Sequence, residues 1–322
     1  MRLLGISLLA MAASFAHGAS LELVATIPLP NVKGRIDHFA VDVSGHRLFV
    51  AALGNDTVEV LDIARNRHER SVTGFGEPQG LLYLEKNQLL YVGNGSSNRL
   101  DVLDARSFMP ALRMEQLDDA DNVRYDPAAG SVIVGYGTGA LRIVDARSGA
   151  SKGDIALAGH PEAFQVERGG TRIFVNVPTF RQVAVVDRAK GNVVATWPVS
   201  ARQNFPMALD ENGRRLFSGA RFPALVLVHD LDSGKEVARL EIGDDTDDLF
   251  FDAERKRLYV ICGEGRVDVF RQESADRYVN EGSVTTAPKA RTGLFVPEAG
   301  RLYVAAPATG DSPARVLVYA TR

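Results

Sequence analysis

RLFVAALGNDTVEVLD, residues 47–62, reads as two β-strands: an apolar run opened by Arg47, a short loop carrying Gly54 and Asn55, and an alternating run closed by Asp62. The same design returns six more times along the 322-residue chain. LLYVGN, SVIVGY, RIFVNV, RLFSGA, RLYVIC and RLYVAA repeat the first run. They put Val92, Val134, Val175, Ser218, Val260 and Val304 in the place of Val50, at spacings of 42, 42, 41, 43, 42 and 44 residues. LDVLD, LRIVD, VAVVD, VLVHD, VDVFR and VLVYA repeat the second. Five of the seven copies end in aspartate (Asp62, Asp104, Asp145, Asp187, Asp230), a residue that suits the turn that follows. Each copy is flanked by two further β-runs, one before it such as HFAVD, NVRYD or LFFD, and a weaker one after it such as VVATWPV or EVARLEI.

Four short strands per repeat, with no helical period between them, predict an all-β protein: a seven-bladed β-propeller with four antiparallel strands per blade. Residues 20–322 form this single propeller domain in the sequence reading, and nothing is left for a second domain. The seventh unit stops after its third strand, RVLVYATR, whereas LELVATIPLP (21–30) is a strand without a unit of its own. The expectation is that this N-terminal strand becomes the outer strand of the last blade and closes the ring.

Residues 1–19 stand outside that pattern. Arg2 precedes an almost unbroken apolar run over residues 3–16, and the small residues Ala16 and Gly18 fit a cleavage site after Gly18 or after Ala19. This is the pattern of a secretory signal peptide, so the mature protein is expected to be periplasmic or secreted. No later segment is long and apolar enough to span a bilayer. A net charge of -3 with both signs interspersed gives no footprint for nucleic acid. Cys262, in the apolar run RLYVIC, reads as a buried core residue with no disulfide partner in the chain.

The RLFV/RLYV run followed by VxVxD resembles the bacterial YVTN repeat. With IDHFAVD, GNDTVEVLD, EPQG, DNVRYD, NFPMALDE and DTDDLFFD, the whole mature chain resembles the YncE-like propeller family. That resemblance implies a seven-bladed fold, related in fold to propeller lactonases, and specifies architecture more than activity. The paired GH and WD signatures that recur in WD40 repeats are missing, with no WD dipeptide anywhere in the chain.

Residues that a blade requires recur in every copy, so residues that differ from copy to copy are free for another use. The entries into the innermost strands are such residues: Asp37-His38, Gln79-Gly80, Asp121-Asn122, Glu162-Ala163, Phe205-Pro206, Asp247-Asp248 and Arg291-Thr292, with His160 and Asn204 just upstream. In a propeller the innermost strands surround a central channel, so these entries converge on one mouth. The loops between second and third strands emerge on the same face and would bring Asn94, Tyr136, Asn176 and Arg221 to its wall. The expected ligand-binding set is Asp37, His38, Gln79, Asp121, Asn122, His160, Glu162, Asn176, Asn204, Asp247, Asp248 and Arg291. Taken singly, an Asp or Asn at a strand start is explained by hydrogen bonds to nearby backbone. Taken together, their chemical variety points to a polar site. The acids of DDTDD (244–248) are expected to face a solvated funnel.

Two classes of function follow from this set. One is a monomeric binding module for a small polar molecule or a protein partner, with Arg291 placed to capture a carboxylate and Phe180, Phe205 and Phe222 suited to a protein contact. The alternative is a metal-dependent lactonase or related hydrolase. Asn122, Glu162, Asn204 and Asp248 are oxygen donors of the kind a divalent metal such as calcium takes, and the related propeller lactonases imply a comparable set. Asp37 or Asp247 would then serve as general base. Zinc and copper fit poorly, because only His38 and His160 point to the mouth. No GxSxG elbow, Walker loop, dinucleotide fingerprint or CxxCH motif is present, and no catalytic residue is assigned.

Overall fold

Each repeat folds into one four-stranded antiparallel sheet, and seven such sheets follow one another along the chain. The computed structural model describes residues 20–322; the signal peptide expected over residues 1–19 lies outside the described residues. In the first blade the strands, from the centre outward, are Phe39–Asp42, Arg47–Ala52, Thr57–Asp62 and Arg67–Thr73. Their burial explains their composition. All but the first residue of the second strand and every residue of the third is buried, whereas the outermost strand has no buried residue. A strand covered on both faces reads as a continuous apolar run, and one covered on a single side does not.

Seven apolar clusters fill the seven gaps between neighbouring blades. Phe49, Val58 and Val60 of blade 1 pack on Leu81, Leu90 and Val92 of blade 2, for example. The last cluster joins Val296, Tyr303 and Val316 of blade 7 to Leu48, Val50 and Leu61 of blade 1, so every blade has two packed neighbours. Seven clusters for seven sheets is the packing of a closed circle. In the seventh sheet Leu21–Pro28 pairs antiparallel with Arg315–Thr321, from Leu21 opposite Thr321 to Pro28 opposite Arg315.

The recurrent aspartates hold the outer turns. Oδ1 of Asp62 accepts from the backbone N–H of Ala64 and Arg65, at 3.0 and 2.9 Å. Asp104, Asp145 and Asp187 repeat this in their own blades, and Asp230 accepts from Ser233. The innermost strands follow two patterns. In blades 1, 3 and 4 the entry pair lies just before the strand and extends its ladder: Asp37 N–H donates to Ala51 O and His38 O accepts from Ala51 N–H, as do Asp121-Asn122 with Gly135 and Glu162-Ala163 with Asn176. In blades 2, 5 and 6 the inner strand starts earlier, at Pro78, Arg202 and Thr246, and is bulged across Gln79-Gly80, Phe205-Pro206 and Asp247. A bulge inserts an extra residue and re-aims side chains. These bulges therefore turn parts of the central strands toward the mouth.

Candidate binding site at the propeller mouth

The entries and the bulges wall a cavity of about 430 Å³ at one end of the channel. Six of the residues expected from the sequence line it: Gln79, Asp121, His160, Glu162, Asp247 and Arg291. Arg35, Leu53, Glu77, Asp119, Phe205 and Arg221 complete the wall. Asp37, His38, Asn122 and Asp248 are not on that wall; Asp37, His38 and Asp248 make polar contacts with one another or with groups that are, and Asn122 contacts Arg124.

The acids of DDTDD depart from the expectation of free solvation. Asp247 is buried among three arginines supplied by blades 1, 5 and 7: Arg221 Nη2 donates to its Oδ1 at 2.9 Å, Arg291 Nε lies 3.0 Å from its Oδ2, and Arg35 Nη2 lies 3.6 Å away. Asp245 accepts from Arg291 Nη1 at 2.9 Å and sits 3.2 Å from Arg221 Nη2. Arg291, expected to await a carboxylate from a ligand, already holds two from its own chain. Arg221 is fixed further by donating Nε–H to Thr246 O and by lying 4.3 Å from the ring of Phe205. Burial and the nearby Asp37 raise the pKa of Asp247 despite the arginines, which pull it down. Three of the four acids before this apolar strand, Asp245, Asp247 and Asp248, meet cations from other blades there.

His38 occupies the centre of the ring. Its Nδ1 lies 3.4 Å from both oxygens of Asp248, and its Nε2 lies 3.7 Å from Asp37 and 3.9 Å from Asp121. Burial alone would lower its pKa, but the carboxylates of Asp248, Asp37 and Asp121 outweigh burial and push it up to about 10. It is therefore an imidazolium at neutral pH. Asp248 also accepts from Gly293 N–H at 2.9 Å. Asp37 is fully buried and meets Arg35 at 2.9 Å. Arg124, unmarked in the sequence, donates to Asn122 Oδ1 at 2.9 Å, and burial lowers its pKa against the opposing pull of Asp248 and Asp121.

On the side of blades 2 to 4 the cations thin out. Burial pushes Asp121 up to about 6, with Asp37 adding to the rise and His38, His160 and Arg35 opposing it. Glu162 is raised well above an ordinary carboxylic acid by burial and by Asp121, Asp247 and Asp37. His160 is oriented by Nδ1 on Gly137 O at 2.6 Å, which leaves Nε2 3.9 Å from Asp119. Gln79 Nε2 donates to Asp119 Oδ1 at 2.8 Å.

Asn176 and Asn204 are elsewhere, and their placement corrects the expected set. Both are fully buried in the seam between blades 4 and 5. Asn176 donates Nδ2–H to Phe205 O and Pro206 O, each at 3.0 Å, and its Oδ1 accepts from Asn204 Nδ2 and Ser218 Oγ. The bulge in blade 5 takes two carbonyls out of its ladder, and an amide side chain answers them. Of the four expected calcium ligands, Asn204 is in this seam, Asn122 Oδ1 faces Arg124, Asp248 faces His38 and Gly293, and Glu162 lines the cavity. Among the described residues no group of three or more His, Cys, Asp or Glu side chains is placed to hold a metal. Phe180 and Phe222 are each 54% exposed.

Neither a protein-family model nor a curated protein sequence matches this chain. Solved structures do. A chain of the mitotic checkpoint complex superposes with a TM-score of 0.79 at 13% identity, covering 99% of this chain and 98% of that one. A chain of hydrazine synthase from Kuenenia stuttgartiensis gives a TM-score of 0.77 at 17% identity, covering 91% and 98%. The likeness is one of fold. This chain is a seven-bladed β-propeller, and at those identities nothing about a ligand or partner travels with the architecture.

Proposed function

We propose that this protein is an exported propeller of the YncE-like kind that binds a small polar ligand in the cavity at its mouth. The observation that carries the reading is the cavity itself: about 430 Å³, walled by charged side chains from several blades that other side chains hold in place. Groups fixed before a ligand arrives lose little freedom on binding, which favours a specific polar site over a merely wet surface. The family reading rests on the RLFV/RLYV and VxVxD repeats, and export rests on the leader-like residues 1–19. Sequencing the mature N-terminus tests export; a start at Ala19 or Ser20 is expected.

A thermal-shift screen of charged and polar metabolites tests binding. At least one chemical class should raise the melting temperature, and Arg221→Ala, which opens the arginine clamp, should abolish that rise. A panel that leaves the melting temperature unmoved would sink the reading. One observation favours the hydrolase as a second reading. Partial burial and the neighbouring acids Asp121, Asp247 and Asp37 raise the pKa of Glu162, the direction a general acid needs. Turnover of a lactone panel, with and without calcium or manganese, separates the two; a hydrolase would lose turnover on Glu162→Gln. Phe180 and Phe222 suit a protein partner instead, and their double replacement by serine should leave small-molecule binding unchanged.

A further inference from the structure

The mouth is electrically lopsided. On the side of blades 5, 6, 7 and 1, Arg35, Arg221 and Arg291 are matched by Asp37, Asp245 and Asp247 at distances of 2.9 to 3.6 Å. On the side of blades 2, 3 and 4 the cavity wall carries Glu77, Asp119, Asp121 and Glu162, and its only cationic group there is His160. His160 itself lies 3.9 Å from Asp119 and turns Nδ1 to Gly137 O.

Asp121 shows what is missing. It lines the cavity, is only 6% exposed, and its Oδ1 has no hydrogen-bond donor. Its nearest cation is His38 Nε2, 3.9 Å from that oxygen and itself shared with Asp248 and Asp37. A buried carboxylate oxygen without a donor costs free energy, more so when the group is charged. A ligand that supplies the donor recovers that cost on binding. Water would satisfy the oxygen but leave the charge uncompensated, whereas an ammonium group does both.

We propose that the acidic side of the mouth, at Asp121 and Glu162, receives the ammonium group of a small primary amine. The inference rests on the reading of the mouth as a ligand site and names the chemistry of that ligand. Binding a cation between these acids favours their ionised forms, so binding releases protons. Asp121 faces Asp37 and His38 from blade 1, Arg35 from the entry to blade 1 and His160 from the entry to blade 4. Below its pKa of about 6 it is protonated and loses the charge that attracts the ammonium, so affinity falls as the medium is acidified.

The probes are ethanolamine, putrescine and cadaverine, each paired with its hydroxyl isostere: ethylene glycol, 1,4-butanediol and 1,5-pentanediol. Calorimetric titration at pH 7.5 should show binding of at least one amine, at least tenfold tighter than its isostere. The same titration at pH 5 should weaken at least fivefold, and enthalpies in buffers of different ionisation heat should reveal proton release at pH 6. Asp121→Asn should cut amine affinity at least tenfold with no loss in melting temperature; Glu162→Gln supplies the same reading if that variant fails to fold. Isosteres that bind as well as amines, or anions such as succinate that bind where amines do not, would overturn this inference and leave the mouth a binding site. Silence from amines, isosteres and anions alike would overturn both.

Discussion

His38 is the residue on which the centre of the mouth depends. With Asp248, Asp37 and Asp121 around it, its imidazolium neutralises charge that Arg35 compensates only at Asp37. Removing one partner of a buried ion pair typically costs about 3–5 kcal/mol, so His38→Gln should lower stability by that order in urea melts at pH 7. The sign of the pH dependence follows from a raised pKa. The stabilisation is complete below the unfolded value near 6.5 and is lost as pH rises through about 10. The gap between wild type and His38→Gln should therefore narrow between pH 8 and 10.5. Asp121 behaves oppositely at neutral pH, because it is an acid whose folded pKa is raised. Its contribution favours the folded state below the unfolded value near 3.8 and is lost as pH rises through about 6. Asp121→Asn should accordingly raise the melting temperature at pH 7.5, with the gain fading toward pH 4.

The bulged inner strands are the elements that make a site out of a repeat. Gly80 sits on the bulge of blade 2 against the entry of blade 3, where a Cβ would lie 1.9 Å from the carbonyl oxygen of Asp121. Backbone cannot yield there as a flexible side chain would. Gly80→Ala should cost about 1–3 kcal/mol and displace Asp121, weakening ligand binding beyond the loss of stability. Chemical denaturation alongside ligand titration separates the two effects. These elements also mark how far the sequence could be read. The second and third strands were legible because burial on both faces writes them as apolar runs, and the turn aspartates because their role is local. Bulges carry no such signature. Counting puts Asn176 and Asn204 at the mouth, whereas the bulge of blade 5 presents carbonyls that Asn176 answers in the seam between blades 4 and 5, where Asn204 donates to Asn176. Arg35 and Arg124 lie two residues outside or inside the entry pairs, so the same counting passed over them.

At the scale of the whole molecule, seven apolar seams hold seven sheets in a circle, and the seam between blades 7 and 1 involves both ends of the chain. Ile27 and Leu29 are buried there, and Leu21 is buried in the seam between blades 6 and 7. Deleting residues 20–28 uncovers Arg315–Thr321 as an edge strand, so the truncated protein should melt lower and associate at concentrations where the full chain does not. Light scattering during thermal melts measures both. Seven blades were countable in the sequence because each is a local unit of about 42 residues, but the mouth was only partly legible because it is made by no single unit. One consequence concerns the order of events in folding. Leu21 and Thr321 are partners across 300 residues, while the other six sheets each draw on neighbouring sequence alone. Blades can form one after another as chain becomes free, yet the seventh has to wait for the first strand and the last to find each other. That late, slow step makes the final blade the place where a chaperone, or a second unfinished copy, finds the protein most open.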